Sequence, residues 1–183
     1  MAYDLNPLKK NLTGAEEWLK KEFTQIRTGQ ASPAILDGVR AEIFGAPMAL
    51  KEIASITIEG ARTLRISPWD KSQVKEIEKA ITVADLGVSV ATDSDGVRVN
   101  FPELTTDKRK DFAKMAKDKL EDAKKHVRGH REQVVKDLQA KEKAGGYEKD
   151  EIFRLKNEVQ KLVDDYNKKL EDLYTKKEKE ILS

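Results

Sequence analysis

QIRTGQASPAILDGV, residues 25–39, is where the chain changes character. Its first half continues a helical pattern that begins at Leu5; its second half is broken by Gly29, Ser32 and Pro33 before a strand-like run begins. Upstream, Leu5, Leu8, Leu12, Ala15, Leu19 and Phe23, with Ile26 one step on, are three or four residues apart, which puts one apolar stripe on a helix over Leu5–Thr28. Gly29 permits the left-handed conformation that closes helices and Pro33 cannot continue one, so the helix is expected to stop there.

Residues 34–104 carry a different period. VRAEIF (39–44) alternates, Gly45–Pro47 reads as a turn, and SITIE (55–59) and TLRIS (63–67) are β-rich runs joined by Glu59–Gly60–Ala61 as a hairpin. In SPWD (67–70), Ser67 as N-cap, Pro68 at the first helical position and Asp70 in the first turn predict a helix start. That helix runs through Val74, Ile77 and Ile81 to Leu86–Gly87. VSVAT (88–92) and VRVNF (97–101) flank the polar turn DSDG (93–96), a second hairpin.

At Pro102 the helical habit returns. Thr105 or Thr106 can cap a helix whose stripe reads Phe112, Met115, Ala116, Leu120, Ala123, Val127, His130, Val134 and Leu138, ending near AGGY (144–147). A last helix carries Ile152, Leu155, Val159, Leu162, Tyr166, Leu170, Leu173 and Ile181. None of the three long helices can bury its narrow seam alone, so they are expected to pack together with the β-rich unit inserted between the first and second. The expected fold class is therefore α+β: an elongated three-helix bundle (1–29 and 105–183) with an inserted small β/α/β domain (30–104). The connectors, Thr28, Gly29, Gln30, Ala31, Ser32 and Pro33 going out and Pro102, Glu103, Leu104, Thr105 and Thr106 returning, cross one boundary twice and are expected to form a hinge near 29–33 and 102–106, the plain alternative being a fixed bend between packed domains.

Composition narrows the function classes. The 183 residues contain no cysteine, which removes disulfides, thiolate metal sites and cysteine nucleophiles together. The N-terminal MAYDLNPLKK has no apolar core with a cleavage site and no run has the ~18 apolar residues that span a bilayer, so a soluble, cytoplasmic protein with no membrane association is expected. No GxxxxGK[ST] or GxGxxG occurs, and DSDG lacks the spaced ligands and final glutamate of a calcium loop. His126 and His130 stand four apart, but HVRGH lacks the zinc-protease glutamate and a third ligand, and His130 falls on the apolar seam, where it reads as packing. No catalytic constellation is present; no enzyme activity, metal or cofactor is expected.

The informative constellation is basic. Residues 105–147 hold 13 basic against 8 acidic groups, whereas 148–183 hold 9 against 10, so the excess sits on one helix, as a binding face requires. Lys110, Lys117, Lys124 and Arg131 recur every seven positions as one stripe, with Lys114 and Arg128 beside it. Such a ladder can follow phosphates, and arginine can bridge two phosphate oxygens or bond a base. Its plain alternative is a solvated helix face partly neutralised by Glu121 and Glu132.

These blocks, QIRTGQASPAILDGV, ARTLRISPWDKSQVKEIEKAI (61–81), VRVNFPELTTDKRKDF (97–112) and the closing VQKLVDDYNKKLEDLYTKKEKEIL, closely resemble the ribosome recycling factor family over essentially the whole chain. The resemblance implies an L-shaped, two-domain monomer that binds the post-termination ribosome and, with the translocase GTPase elongation factor G, separates its subunits. It implies that the bundle lies on ribosomal RNA of the large subunit and that the inserted domain swings. The family's VRNIRRD-like segment falls on VRGHREQ (127–133), so Arg128 and Arg131 match arginines implied to contact RNA; Gly129, His130 and Glu132 depart from that pattern, and Gln30 stands where arginine is common. A helical scaffold or chaperone-like module that binds protein partners through its seam or stripe is the competing function.

Overall fold

The computed structural model describes residues 3–183; Met1 and Ala2, which open both the segment read for a leader and the expected 1–29 segment, lie outside the described residues. In chain order the elements are α1 (Asn6–Thr24), β1 (Arg40–Ile43), β2 (Ala46–Ala49), α2 (Leu50–Ile53), β3 (Ala54–Gly60), β4 (Thr63–Pro68), α3 (Val74–Val83), β5 (Ser89–Thr92), β6 (Val97–Asn100), α4 (Thr106–Lys143) and α5 (Lys149–Leu182). Two compact units result. One runs up to Phe23 and resumes at Ala113–Lys179; the other is Thr24–Phe112 with Glu180–Ser183.

The first unit is a three-helix bundle. The α1 stripe is buried as its spacing requires, Leu8, Leu12, Ala15, Leu19 and Phe23 together, and so are Ala116, Leu120, Ala123 and Val127 of α4 and Val159, Val163 and Leu170 of α5. Each fully enclosed leucine stabilises the bundle by about 1.5–3 kcal/mol relative to exposure. Polar ties at the rim fix the faces that meet: Thr13 Oγ1 and Tyr166 OH share a hydrogen bond of 2.7 Å, and Lys119 pairs with Glu22 at 2.7 Å. The turn between α4 and α5 closes because Gly145 adopts φ +77°, which lets the Gly145 and Gly146 N–H groups donate back to Glu142 O and Lys141 O, a Schellman stop.

The second unit is built on a four-stranded antiparallel sheet in the order β3-β4-β6-β5, with β1 and β2 as a separate two-stranded ribbon. Leu64, Ile66, Val97 and Val99 point inward and are fully enclosed with Ile77 and Ile81 of α3, which supplies the other half of the core. Arg65 and Arg98, directly opposite one another across β4 and β6, lie on the other face. Arg65 grips Asp93 through two bonds of 2.5 and 2.8 Å, and Arg98 grips Glu59 through two of 2.7 and 3.0 Å. Arg65, helped by the Asp95 N–H, holds the Asp93 carboxyl well below the usual carboxylate range. The same Asp93 Oδ1 accepts from the Asp95 and Gly96 N–H groups, which shapes the β5–β6 turn.

Four expectations change in detail. α1 ends at Thr24, not Thr28, and Gly29 is not its stop: Ile26 and Arg27 turn inward and are buried in the second unit, so the chain leaves the helix before the glycine is reached. SPWD does not begin the helix as expected, because the inward alternation Leu64, Ile66, Pro68 keeps Ser67 and Pro68 in β4. Pro68 sits past the β6 pairing, which ends at Ile66. Asp70 is the cap instead, accepting from Ser72 N–H at 2.9 Å to start a 3-10 turn ahead of α3. α3 stops at Val83 rather than Leu86–Gly87, since Asp85 and Gly87 adopt φ of 47° and 66°. Finally, the segment after the Phe44–Gly45 turn is β2 and α2, where the Glu52 carboxylate accepts from the Ala49 N–H at 2.9 Å.

Candidate nucleic-acid interface

α4 starts where Thr105 Oγ1 accepts from the Lys108 N–H at 3.3 Å, which makes Thr105 the cap and Thr106 the first helical residue. A seven-residue step falls about 20° short of two full turns, so a heptad stripe drifts around the helix. Here it drifts toward the core: Lys110 and Lys117 are exposed, whereas Lys124 and Arg131 are half-buried. Lys110 lies in the part of α4 that belongs to the second unit; Lys114, Lys117, Lys124, Arg128 and Arg131 lie in the bundle.

Their charges are not equally free. Lys124 Nζ is in close contact with the Glu171 carboxylate and 3.9 Å from Glu121, so most of its field is spent within the fold. Arg128, Lys114 and Lys117 are exposed and have no ion pair among the described residues. Arg131 donates from Nη1 to Gln160 Oε1 at 3.3 Å, and Gln160 Nε2 donates on to Asp164 Oδ1 at 2.8 Å. Between α4 and α5, Lys124, Arg128, Arg131, Gln160, Val163 and Asn167 line a cleft of about 210 Å³. Among the described residues its lining includes two guanidinium groups one turn apart and no carboxylate, so its chemistry is that of an anion or phosphate seat.

The two histidines sit in a different groove, with Lys10, Asn11, Gly14 and Trp18. The Trp18 ring meets His126 edge-on at 5.2 Å, and His130 is half-buried with Nδ1 enclosed. No group of three or more His, Cys, Asp or Glu side chains among the described residues could hold a metal ion. No helix among them is long and apolar enough to cross a membrane.

Both connectors are fastened to the β3–β4 turn of the second unit. The Ala31 N–H donates to Ala61 O and the Phe101 N–H to Arg62 O, each at 2.8 Å, and Arg62 pairs with Glu103 at 2.6 Å. The Gln30 N–H reaches Thr28 Oγ1 at 3.4 Å, Gly29 has open space around it, and Ser32 O accepts from Ile35 as Pro33 opens a 3-10 turn. Leu104 is buried, and its carbonyl accepts from Arg109 Nε at 3.3 Å. Pro102 O accepts from the buried Arg27, a residue that the sequence reading passed over.

A family model described as Ribosome recycling factor matches residues 19–182 of this chain. The chain belongs to the ribosome recycling factor family. It is 40% identical over 183 residues to the ribosome-recycling factor of Leuconostoc citreum, covering 100% of this chain and 99% of that one. It is 41% identical over 178 residues to that of Bacillus licheniformis, covering 97% and 96%. Among solved structures, a solution structure of a ribosome recycling factor aligns with a TM-score of 0.76 at 28% identity, covering 100% of this chain and 99% of that one. A second aligns with a TM-score of 0.66 at 33% identity, covering 97% and 96%; it describes the T. thermophilus ribosome recycling factor and the E. coli elongation factor G bound to the E. coli post-termination complex.

Ribosome recycling factors are translation factors rather than enzymes. The α4 side of that cleft was readable from one helix's spacing; Gln160, Val163 and Asn167 on α5 were not. One signal was present. Val159, Val163, Asn167 and Leu170 continue a single seam at steps of four, four and three, so Asn167 is a polar residue at an apolar position.

Proposed function

We propose that this chain binds the post-termination ribosome by laying the basic flank of α4 on ribosomal RNA of the large subunit and, together with elongation factor G, promotes separation of the subunits for a new round of translation. It acts as a monomer, in the cytoplasm. The observation that carries the reading is the pair Arg128 and Arg131 at the mouth of a carboxylate-free cleft, with Lys114 and Lys117 unpaired along the same helix. The scaffold alternative has little to work with, because the seams that would capture a partner helix are buried within the bundle. In this reading 1–29 and 105–183 bind the ribosome, 30–104 moves, and the hinge lies near 29–33 and 102–106.

Arg131→Ala is expected to lower affinity for purified large subunits by about 1–3 kcal/mol and to reduce the steepness of the log–log salt dependence by about one. Helix content should hold, since alanine is the best helix former. Equilibrium binding across a salt series reads both quantities. Equal affinity and slope for variant and parent would remove Arg131 from the interface.

A further inference from the structure

The cleft between α4 and α5 contains two polar groups that the fold leaves unmatched, and they are of opposite kind. Arg131 Nε is a donor and Asn167 Oδ1 an acceptor; both are enclosed, and neither has a hydrogen-bond partner among the described residues. An enclosed group left in this state costs more than an ordinary hydrogen bond returns. Two such groups lining one cleft of about 210 Å³ mark a seat shaped for something the chain itself does not supply.

Gln160 holds the place. Its amide oxygen accepts from Arg131 Nη1 at 3.3 Å, beyond the usual range for such a bond, while the same guanidinium's Nε stays unmet. An arginine fork is matched by two oxygens on one centre, as in phosphate. Asn167 Oδ1 asks for the reverse, a donor close to that phosphate. The volume equals roughly seven waters at ~30 Å³ each, and no aromatic side chain lines it, so it suits a sugar and phosphate rather than a stacked base. In a nucleic-acid backbone the donor that adjoins a phosphate is the ribose 2′-hydroxyl, which DNA lacks.

We propose that the cleft is a ribonucleotide subsite in which a phosphate displaces the Gln160 amide from Arg131 and the adjoining 2′-hydroxyl donates to Asn167 Oδ1. Arg128 and Arg131 grip either kind of backbone; Asn167 selects RNA. This rests on the ribosome-binding reading above and adds to it the atom that recognises the sugar.

The test compares the full chain with Asn167→Leu, Gln160→Ala and Arg131→Ala, by chemical-shift titration with uridylate and deoxyuridylate decamers and by binding to purified large subunits. Uracil carries no exocyclic amine, so a ribose preference on these decamers reports the sugar hydroxyl alone. The parent should favour the ribose decamer about fivefold, the value of one hydrogen bond. Asn167→Leu should lose that ratio and weaken large-subunit binding by a similar factor without a lower melting temperature, because it deletes an unmatched buried acceptor. Asn167→Ala reads the same ratio should the leucine variant not fold. Gln160→Ala should bind the ribose decamer at least as tightly as the parent, and Arg131→Ala should weaken both decamers alike. A parent with no ribose preference, an Asn167 variant that keeps it, or a Gln160 variant that binds RNA more weakly would overturn the proposal. Failure of the parent to bind large subunits would instead overturn the ribosome-binding reading, and the decamer ratio would still decide the cleft.

Discussion

Arg27→Ala is expected to destabilise the β-rich unit by about 2–4 kcal/mol. Arg27 is the one buried charged residue among those described, and it has no ion pair among them. Its Nη1 donates to Gly87 O at 2.6 Å, its Nη2 to Pro102 O, and its guanidinium lies 5.4 Å from the Phe101 ring centre. Burial pulls its pKa below the ordinary arginine value, so the charge itself is a cost that the two carbonyls and the ring offset. Removing the side chain strands both carbonyls, at about 1–3 kcal/mol each when they stay dry. Lysine is not a conservative replacement, because a point charge cannot span the end of the α3–β5 loop and the return connector as a planar fork does. Native-state hydrogen exchange on the β6 and α3 amides measures the loss. A change under about 0.5 kcal/mol would show that water satisfies the carbonyls and that Arg27 does not hold the connector.

Gly96→Ala should be at least as damaging to the same unit, by about 3 kcal/mol or more. A Cβ at position 96 would lie 2.2 Å from Ile66 O and 3.3 Å from Pro68 Cδ. The obstacle is the β4 backbone, so no side-chain rotation relieves it; β4 and β6 would have to separate at the end of their ladder, where Ile66 pairs with Val97. The Asp93 turn would be pulled with it, since the Gly96 N–H donates to Asp93 Oδ1 and the Asp93 N–H to Gly96 O, both at 3.0 Å. Denaturant unfolding followed by hydrogen exchange in β5 and β6 should show early opening there. Parent-like protection in both strands would mean that the sheet absorbs the methyl group.

Legibility followed the range of the physics. The α1 stripe and the two hairpins of the main sheet are set by spacing within a dozen residues, and they stand where periodicity put them; the α4 and α5 seams do so in part, since Met115 is exposed and Val163, outside the expected α5 seam, is buried. β2 was not legible because Pro47 disqualifies an ordinary strand; it is tolerated in a two-stranded ribbon, where each strand has a free edge. SPWD misled because two local rules competed, a cap followed by proline against an inward alternation, and packing of Pro68 decided between them. Arg27 could not be recognised from its neighbours, since its partners lie 60 and 75 residues away. Of the candidate interface, the α4 arginines were legible and the α5 wall was not, because which residues face a partner helix depends on packing between helices rather than on either pattern alone.

The central claim is that the basic flank of α4 binds the ribosome so that elongation factor G can separate its subunits. Light scattering on post-termination ribosomes tests it most directly, with elongation factor G and GTP present and the chain added as parent or as Arg131→Ala. The account predicts rapid loss of scattering with the parent and a rate for Arg131→Ala that is reduced at subsaturating protein and recovers as its concentration is raised. Scattering that stays at the level given by elongation factor G and GTP alone, whatever the concentration of the parent chain, would contradict it.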